Sequence, residues 1–452
     1  MSIDTTPAAD AARAGSTALL TDHYELTMLE AALRSGAAHR RSVFEVFARR
    51  LPNGRRYGVV AGTGRFLDAL ECFRFTPADL DRLRSRGIFD ADTLEWLAAY
   101  RFSGDIWGYA EGDAYFPGSP LLVVESTFAE GVILETLALS ILNHDSAIAA
   151  AASRMTAAAD GRPCIEMGSR RTHEQAAVAA ARAAYLAGFD ATSNLEAGRS
   201  FGVPTAGTAA HAFTLLHDTE REAFQAQVDC LGSGTTLLVD TYDVPQAVEL
   251  AVDVAGTELG AVRLDSGDLL QQAREVRDQL DALGATQTRI VVTSDLDEYA
   301  IAALQAGPVD SYGVGTSLVT GSGAPTAGLV YKLVARENGS GELIGVAKKS
   351  QDKLSVGGRK YALRRLGADD VADAELIGIG EPPEVGRVSA GVRTSARDLL
   401  VPLVRRGEVV WTGTLGDARA RHAASMAELP VQAAQLSRGE PVISTIYQGR
   451  QD

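Results

Sequence analysis

From about residue 160 the chain settles into a repeating pattern of a short apolar run, a polar turn and an amphipathic stretch. The apolar runs fall at 163–167, 191–194, 204–207, 236–239, 260–264, 289–292, 311–314 and 329–334. Between them lie stretches with helical spacing of apolar positions, at 174–187, 247–255, 269–283 and 296–305. Strand and helix alternating at this interval predict parallel strands joined by crossover helices. Seven or eight repeats favour an irregular (β/α) barrel of TIM type, with an open sheet as the alternative.

The flanks follow a different pattern. Thr21 and Asp22 are good helix caps ahead of Leu26, Leu29 and Leu33, which keep one helical face. Residues 43–47 alternate as a strand, 65–101 read as helix broken at Thr76-Pro77, and 121–125 read as another strand. A long amphipathic helix covers about 130–158. Residues 335–365 interrupt the barrel rhythm with Gly- and Lys-rich loops, and a polar helix is expected around 416–437. The organisation expected is a tail at 1–16, a mixed α/β domain at 17–130, a barrel at 131–345, and a segment at 346–452 that packs on the first domain.

Composition narrows the function classes. The chain has 452 residues, 46% hydrophobic and 22% charged, as in an ordinary globular enzyme. Its formal net charge of −15 argues against nucleic acid as a partner. Cys72, Cys164 and Cys230 form no C-x-x-C pair, so neither a zinc site nor a disulfide framework is expected, and a cytoplasmic location fits. The first residues lack the apolar centre of a signal peptide. No uninterrupted apolar run spans a bilayer, so no membrane partner is expected.

In a parallel barrel, reactive groups gather where strands end. The ends here carry Gly168-Ser169-Arg170-Arg171, Ser193-Asn194, Thr208 and His211, Asp240-Thr241-Tyr242-Asp243, Arg263 with Asp265-Ser266-Gly267-Asp268, Thr293-Ser294-Asp295, and Gly315-Thr316-Ser317. His211 follows the run Pro204–Ala210, whose small residues leave room for a bulky ligand, and a neutral imidazole is a competent nucleophile. A lone histidine there also has a plain structural reading. Arg170-Arg171 either starts a solvated helix or grips phosphate or carboxylate. Asp265 and Asp268 either cap the next helix or, beside Arg263, orient Mg²⁺ with a diphosphate or hold ribose hydroxyls. Gly313-Val314-Gly315 is a short Gly-rich loop of the kind that binds phosphate on bare N–H groups. Lys348-Lys349 with Lys353, Arg359 and Lys360 form either a phosphate-binding loop or a solvated charge run.

In their order along the chain, the stretches 21–28, 44–58, 166–171, 207–213, 238–243, 262–268, 313–320, 328–334 and 348–360 resemble those of the nicotinate phosphoribosyltransferases, a family of type II phosphoribosyltransferases. The resemblance implies transfer of phosphoribose from 5-phosphoribosyl 1-pyrophosphate to nicotinate, coupled to ATP hydrolysis, with Mg²⁺ accompanying ATP and the diphosphate. It implies that ATP phosphorylates His211, that Arg263 and Thr208 bind nicotinate, and that Thr316 binds phosphoribosyl pyrophosphate. It also implies a head-to-tail homodimer in which Tyr24 covers the partner subunit's pyridine ring. Asp265 is expected to stabilise positive charge on the ribose. Asp240 is expected to accept a hydrogen bond from His211 and fix its tautomer.

Three departures stand out. Met167 replaces the phenylalanine usual before the Gly-x-Arg of the ring site, where a thioether still packs on a pyridine face. The lysine loop has Gly357-Gly358 in place of Pro-Gly. No cysteine-rich knuckle follows Cys230. A nicotinamide-using relative would carry aspartate where this chain has Ser193, and that charge would repel nicotinate. Quinolinate-using relatives are shorter and lack the ATP-linked histidine. A non-catalytic metabolite-binding barrel would have no need of a phosphorylatable imidazole.

Overall fold

The computed structural model describes residues 15–348, 355–385 and 395–449. Most of the expected tail and Lys349–Lys353 of the lysine loop therefore lie outside the described residues. The chain divides into two compact units: one comprises 1–146, 326–433 and 438–452, and the other 147–325 with 434–437. The sequence pattern had placed the junctions at 130/131 and 345/346.

The first unit is mixed α/β and draws on both ends of the chain. Its seven-stranded sheet runs in the order Leu343–Gly345, Leu329–Glu337, Arg41–Ala48, Leu122–Thr127, Asp105–Tyr109, Leu400–Arg405 and Glu408–Val409. Arg41–Ala48 is interior to the sheet, antiparallel to both neighbours, and buried along all but its first residue, with the buried Glu45 at its middle paired to Lys360. Phe44 stacks on Tyr331 at 5.1 Å within this core. A second, four-stranded sheet joins Ser395–Asp398, Lys360–Leu366, Ala372–Ile379 and Ser444–Gln448. The stretch expected as one broken helix becomes three, Thr63–Glu71, Pro77–Ser85 and Ala91–Ala99. Thr76 and Asp79 form a capping box at the start of the second, as the Thr-Pro pair dictates.

The second unit is a curled parallel half-barrel. Its six strands lie in the order Ala191–Thr192, Cys164–Glu166, Ser311–Val314, Arg289–Ser294, Ala261–Leu264 and Thr236–Leu238. The run around 204–207 contributes a single parallel bridge, Thr192 to Thr205. The run at 329–334 is not a barrel strand: it pairs antiparallel with Arg41–Ala48 in the first unit. Its buried positions Leu329, Tyr331 and Val334 belong to a short strand-forming run that reads alike in either sheet, which is why the pattern did not separate them. No ladder joins the two ends of the parallel sheet among the described residues, so a closed eight-strand barrel is replaced by the half-barrel.

Helices cover this sheet. Glu174–Leu186 buries six alanines, and their small side chains permit close approach to the strands. Among the described residues, one helical stretch, Phe128–Ala159, is long and apolar enough by composition to cross a bilayer, although Glu130, Glu135 and Asp145 interrupt its apolar positions. Its most apolar window is 61% buried inside the protein, so that surface is used as core.

Candidate active site

Most of the parallel strands end in a loop that closes with a polar cap for the next helix, Gly315 after Ser311–Val314 being an exception. Asn194 accepts from Ala197 N–H, Asp243 from Gln246 N–H and Asp268 from Gln271 N–H. Capping orients the first turn and leaves the intervening residues on the strand-end face. Asp268 therefore has the helix-capping role the sequence allowed.

His211 is the first residue of the helix His211–Leu216, with its side chain 40% exposed. Its Nδ1 lies 3.1 Å from Thr241 Oγ1, and its Nε2 lies 3.9 Å from Asp265 Oδ2. Asp240 does not hold the imidazole, which corrects the sequence expectation. Asp240 Oδ2 instead accepts from Asp265 N–H at 2.8 Å and Ser266 O–H at 2.9 Å. It braces the Asp265-Ser266 turn, and the neighbouring hydroxyl of Thr241 reaches the histidine. Asp240 Oδ1 is a buried oxygen without a hydrogen-bond partner among the described residues. Asp265 Oδ1 accepts from the Thr293 hydroxyl.

Arg263 Nη1 donates to Thr208 Oγ1 at 2.8 Å, and its buried Nε has no partner among the described residues. Burial pulls this guanidinium down from its ordinary range, Asp265 and Asp240 raise it, and Arg170 lowers it again. Arg170 itself is exposed. Two cations kept close enough to disfavour each other suit an anionic ligand.

Met167 turns onto Gly313. A Cβ on Gly313 would stand 2.5 Å from Thr293 Cγ2 and 2.7 Å from Met167 Sδ, so glycine is required for the thioether to sit there. Gly313 is thus buried within its strand, and Gly315 alone of the pair stands in the loop ahead of Thr316. Ser193 is exposed after the strand Ala191–Thr192. Tyr24 belongs to the first unit, where it is 46% exposed, and burial and Glu135 both raise its phenol above the ordinary range.

The sequence reading assigned no role to Glu166, Thr192, Thr241 or Thr293. Glu166 is fully buried at the end of Cys164–Glu166, and burial raises its carboxyl above the usual range. An acidic residue closing an apolar strand was the available signal. The threonines carried none, since their partners are distant in sequence.

A cavity of about 1240 Å³ lies elsewhere, in the first unit. Among the charged groups that line it, Arg359 pairs with Glu125 at 3.0 Å and Arg405 with Asp105 at 3.2 Å. None of the strand-end residues lines it.

The arrangement defines a half-barrel protein whose chemistry is carried on the loops after its parallel strands. The nicotinate phosphoribosyltransferase (NAPRTase) N-terminal domain model matches residues 19–143. Nicotinate phosphoribosyltransferase pncB1 of Mycobacterium tuberculosis is 59% identical over 94% of each chain. The nicotinate phosphoribosyltransferase of Bacillus subtilis is 37% identical over 77% of this chain and 73% of its own. The crystal structure of human nicotinic acid phosphoribosyltransferase superposes with a TM-score of 0.80 at 28% identity, covering 95% of this chain and 98% of that one. The chain belongs to the nicotinate phosphoribosyltransferase family.

Proposed function

We propose that this chain is an enzyme of NAD biosynthesis that transfers phosphoribose from 5-phosphoribosyl 1-pyrophosphate to nicotinate, giving nicotinate mononucleotide and pyrophosphate. Family membership supports the reaction. The observation that carries the site is the convergence of Arg263, Thr208, His211 and Asp265 on one strand-end face.

The pyridine nitrogen uses its lone pair to form the bond to the anomeric carbon. The carbon–oxygen bond to pyrophosphate breaks, and its electron pair leaves on the pyrophosphate oxygen. Positive charge grows on the ribose meanwhile, and the Asp265 carboxylate, oriented by Thr293, offsets it. Arg263, with Arg170 nearby, takes the nicotinate carboxylate; Thr208 steadies Arg263; Met167 packs on the ring. Ser193 leaves that pocket free of the negative charge that would turn nicotinate away. Gly315 and Thr316 offer backbone N–H groups and a hydroxyl to phosphate, with Gly313 keeping the strand end compact.

Turnover is coupled to ATP through His211. Nε2 attacks the γ-phosphorus, an N–P bond forms, the P–O bond to ADP breaks, and water later cleaves the phosphohistidine. The Thr241 hydroxyl, accepting Nδ1–H, keeps the Nε2 lone pair available.

Mg²⁺ fits the donors present: Asp265 and the unpaired oxygen of Asp240 supply the one or two carboxylates this ion usually takes, and substrate phosphates supply the rest. When bound, it neutralises charge on the diphosphate. Among the described residues there is no cluster able to hold a metal by itself. The enzyme works in the cytoplasm as a homodimer with shared sites, Tyr24 of one subunit stacking on the pyridine held by the other.

A pyrophosphate-release assay tests this reading. Nicotinate should support turnover, nicotinamide should not, and ATP should stimulate the rate. Nicotinamide as the preferred substrate would overturn it.

A further inference from the structure

The backbone of Glu166 is the last link in its strand, and its side chain points back under the loop that follows. Oε1 accepts from Gly168 N–H, and Oε2 accepts from Thr192 Oγ1 at 2.5 Å. Thr192 is fully buried and closes the neighbouring strand, Ala191–Thr192. Its hydroxyl oxygen in turn accepts from Asn194 N–H at 2.9 Å. Ser193 N–H donates to the Glu166 carbonyl at 2.8 Å, and Asn194 Nδ2 donates to Ser169 Oγ at 3.0 Å. One buried carboxylate thus ties together two loops. The first carries Met167 and Arg170; the second carries Ser193.

Burying a carboxylate is costly, and no cationic partner among the described residues offsets it: burial raises the Glu166 carboxyl, while the bonds from Thr192 and Gly168 lower it. A leucine would fill an apolar strand end without that cost. The space is also tight. A Cβ at Gly168 would stand 2.2 Å from Val319 Cγ1 and 3.0 Å from Glu166 Oε1, so the first loop is pressed onto the carboxylate.

We infer that Glu166 is a positioning residue that sets the spacing between the Met167–Arg170 loop and the Ser193 loop, and thereby the fit of the pyridine carboxylate substrate. The inference rests on the assignment of these loops to the ring site. It extends that assignment to a residue that touches no substrate.

The test separates positioning from folding. Glu166→Ala should raise the KM for nicotinate about tenfold or more and change kcat and the KM for phosphoribosyl pyrophosphate by less than about threefold. Glu166→Gln should bring the nicotinate KM back to within about threefold of wild type, because its amide oxygen accepts from Gly168 and its NH₂ donates to Thr192. Glu166→Asp is one methylene short of spanning both loops and should not rescue. If Glu166→Ala fails to fold, Thr192→Val removes one arm of the tie and should raise the nicotinate KM alone, about threefold to fivefold.

An unchanged nicotinate KM in both Glu166→Ala and Thr192→Val, or equal losses in every kinetic parameter that glutamine does not restore, overturns the inference and leaves the proposed reaction standing. A wild-type chain that does not turn over nicotinate overturns the proposed reaction and the inference with it.

Discussion

Two sets of charged side chains, one in each unit, are paired differently. In the first, Arg364 is fully buried and bonded on several sides: to Glu375 at 2.5 Å, to the Ala114 carbonyl at 2.6 Å and to Ser425 at 3.1 Å. Lys360 is likewise buried, with Glu45 at 2.6 Å and the Val356 carbonyl at 2.8 Å. In the second unit, Arg263 has one side-chain hydroxyl, Asp240 leaves an oxygen unpaired, and His211 and Asp265 are about two-fifths exposed. The first set is ion-paired inside the fold, although Arg364 Nε itself has no partner among the described residues, whereas the second set sits at a half-exposed strand-end face with its carboxylates and guanidinium loosely engaged. Substitutions in the first set should therefore harm stability, and those in the second set turnover.

The largest effect expected is on chemistry alone. His211→Asn should reduce ATP hydrolysis by roughly 10⁴-fold or more, since it removes the phosphoryl acceptor, and leave slow ATP-independent transfer. The thermal midpoint should hardly move. ATP hydrolysis at the wild-type rate would show that another group accepts the phosphoryl.

Arg364→Ala should do the reverse. It strands Glu375 in the core and should cost about 3–5 kcal/mol in denaturant unfolding, with an unchanged nicotinate KM in whatever fraction stays folded. A loss below about 1 kcal/mol would end the contrast between the units.

Next comes pH. His422 is buried on Leu415–Ala427, and burial, then Arg419, hold its imidazole down to about 4. The unfolded chain takes up that proton near pH 6.5, before the folded one does, so stability is full above about 6.5 and falls as pH drops towards 4. The loss approaches about 3 kcal/mol, and a His422→Gln variant should show a flatter pH–stability curve over that window. Parallel curves would assign the acid sensitivity to other groups.

A smaller effect is expected from Ser193→Asp. A carboxylate facing a carboxylate should weaken nicotinate binding by about tenfold or more and nicotinamide binding far less. Equal losses would place Ser193 outside the ring site. Smallest is Tyr24→Ala, which should raise the nicotinate KM about fivefold, the worth of one offset stack, without affecting ATP hydrolysis. No change would confine Tyr24 to packing.

Much of the half-barrel was legible because its strands are short, apolar and bounded by helices with clear caps. The strand-end residues could be read off in turn, and the structure brings His211, Thr208, Arg263 and Asp265 together. Two things escaped. The run at 329–334 is a short strand-forming segment, and no local pattern says which sheet it will join. The partner of His211 depends on which of two adjacent residues, Asp240 or Thr241, turns towards it, and the Asp265-Ser266 turn decides that by engaging Asp240 first. Tertiary hydrogen bonds of this kind leave no periodic trace in the chain.

The pairing of Ala48 with Leu329 has a consequence for how the protein is born. The central strand of the first unit emerges from the ribosome early, but one of its two neighbours follows only after the whole half-barrel has been translated. At about 5–20 residues per second, some 280 intervening residues take roughly 15–55 s. Throughout that interval an apolar edge awaits its mate, exposed to any chaperone or to another nascent chain. In the half-barrel the longest such wait is about half as long, between Cys164–Glu166 and its neighbour Ser311–Val314. We expect it to become protease-resistant first on the ribosome, with the unit that opens the chain completed second.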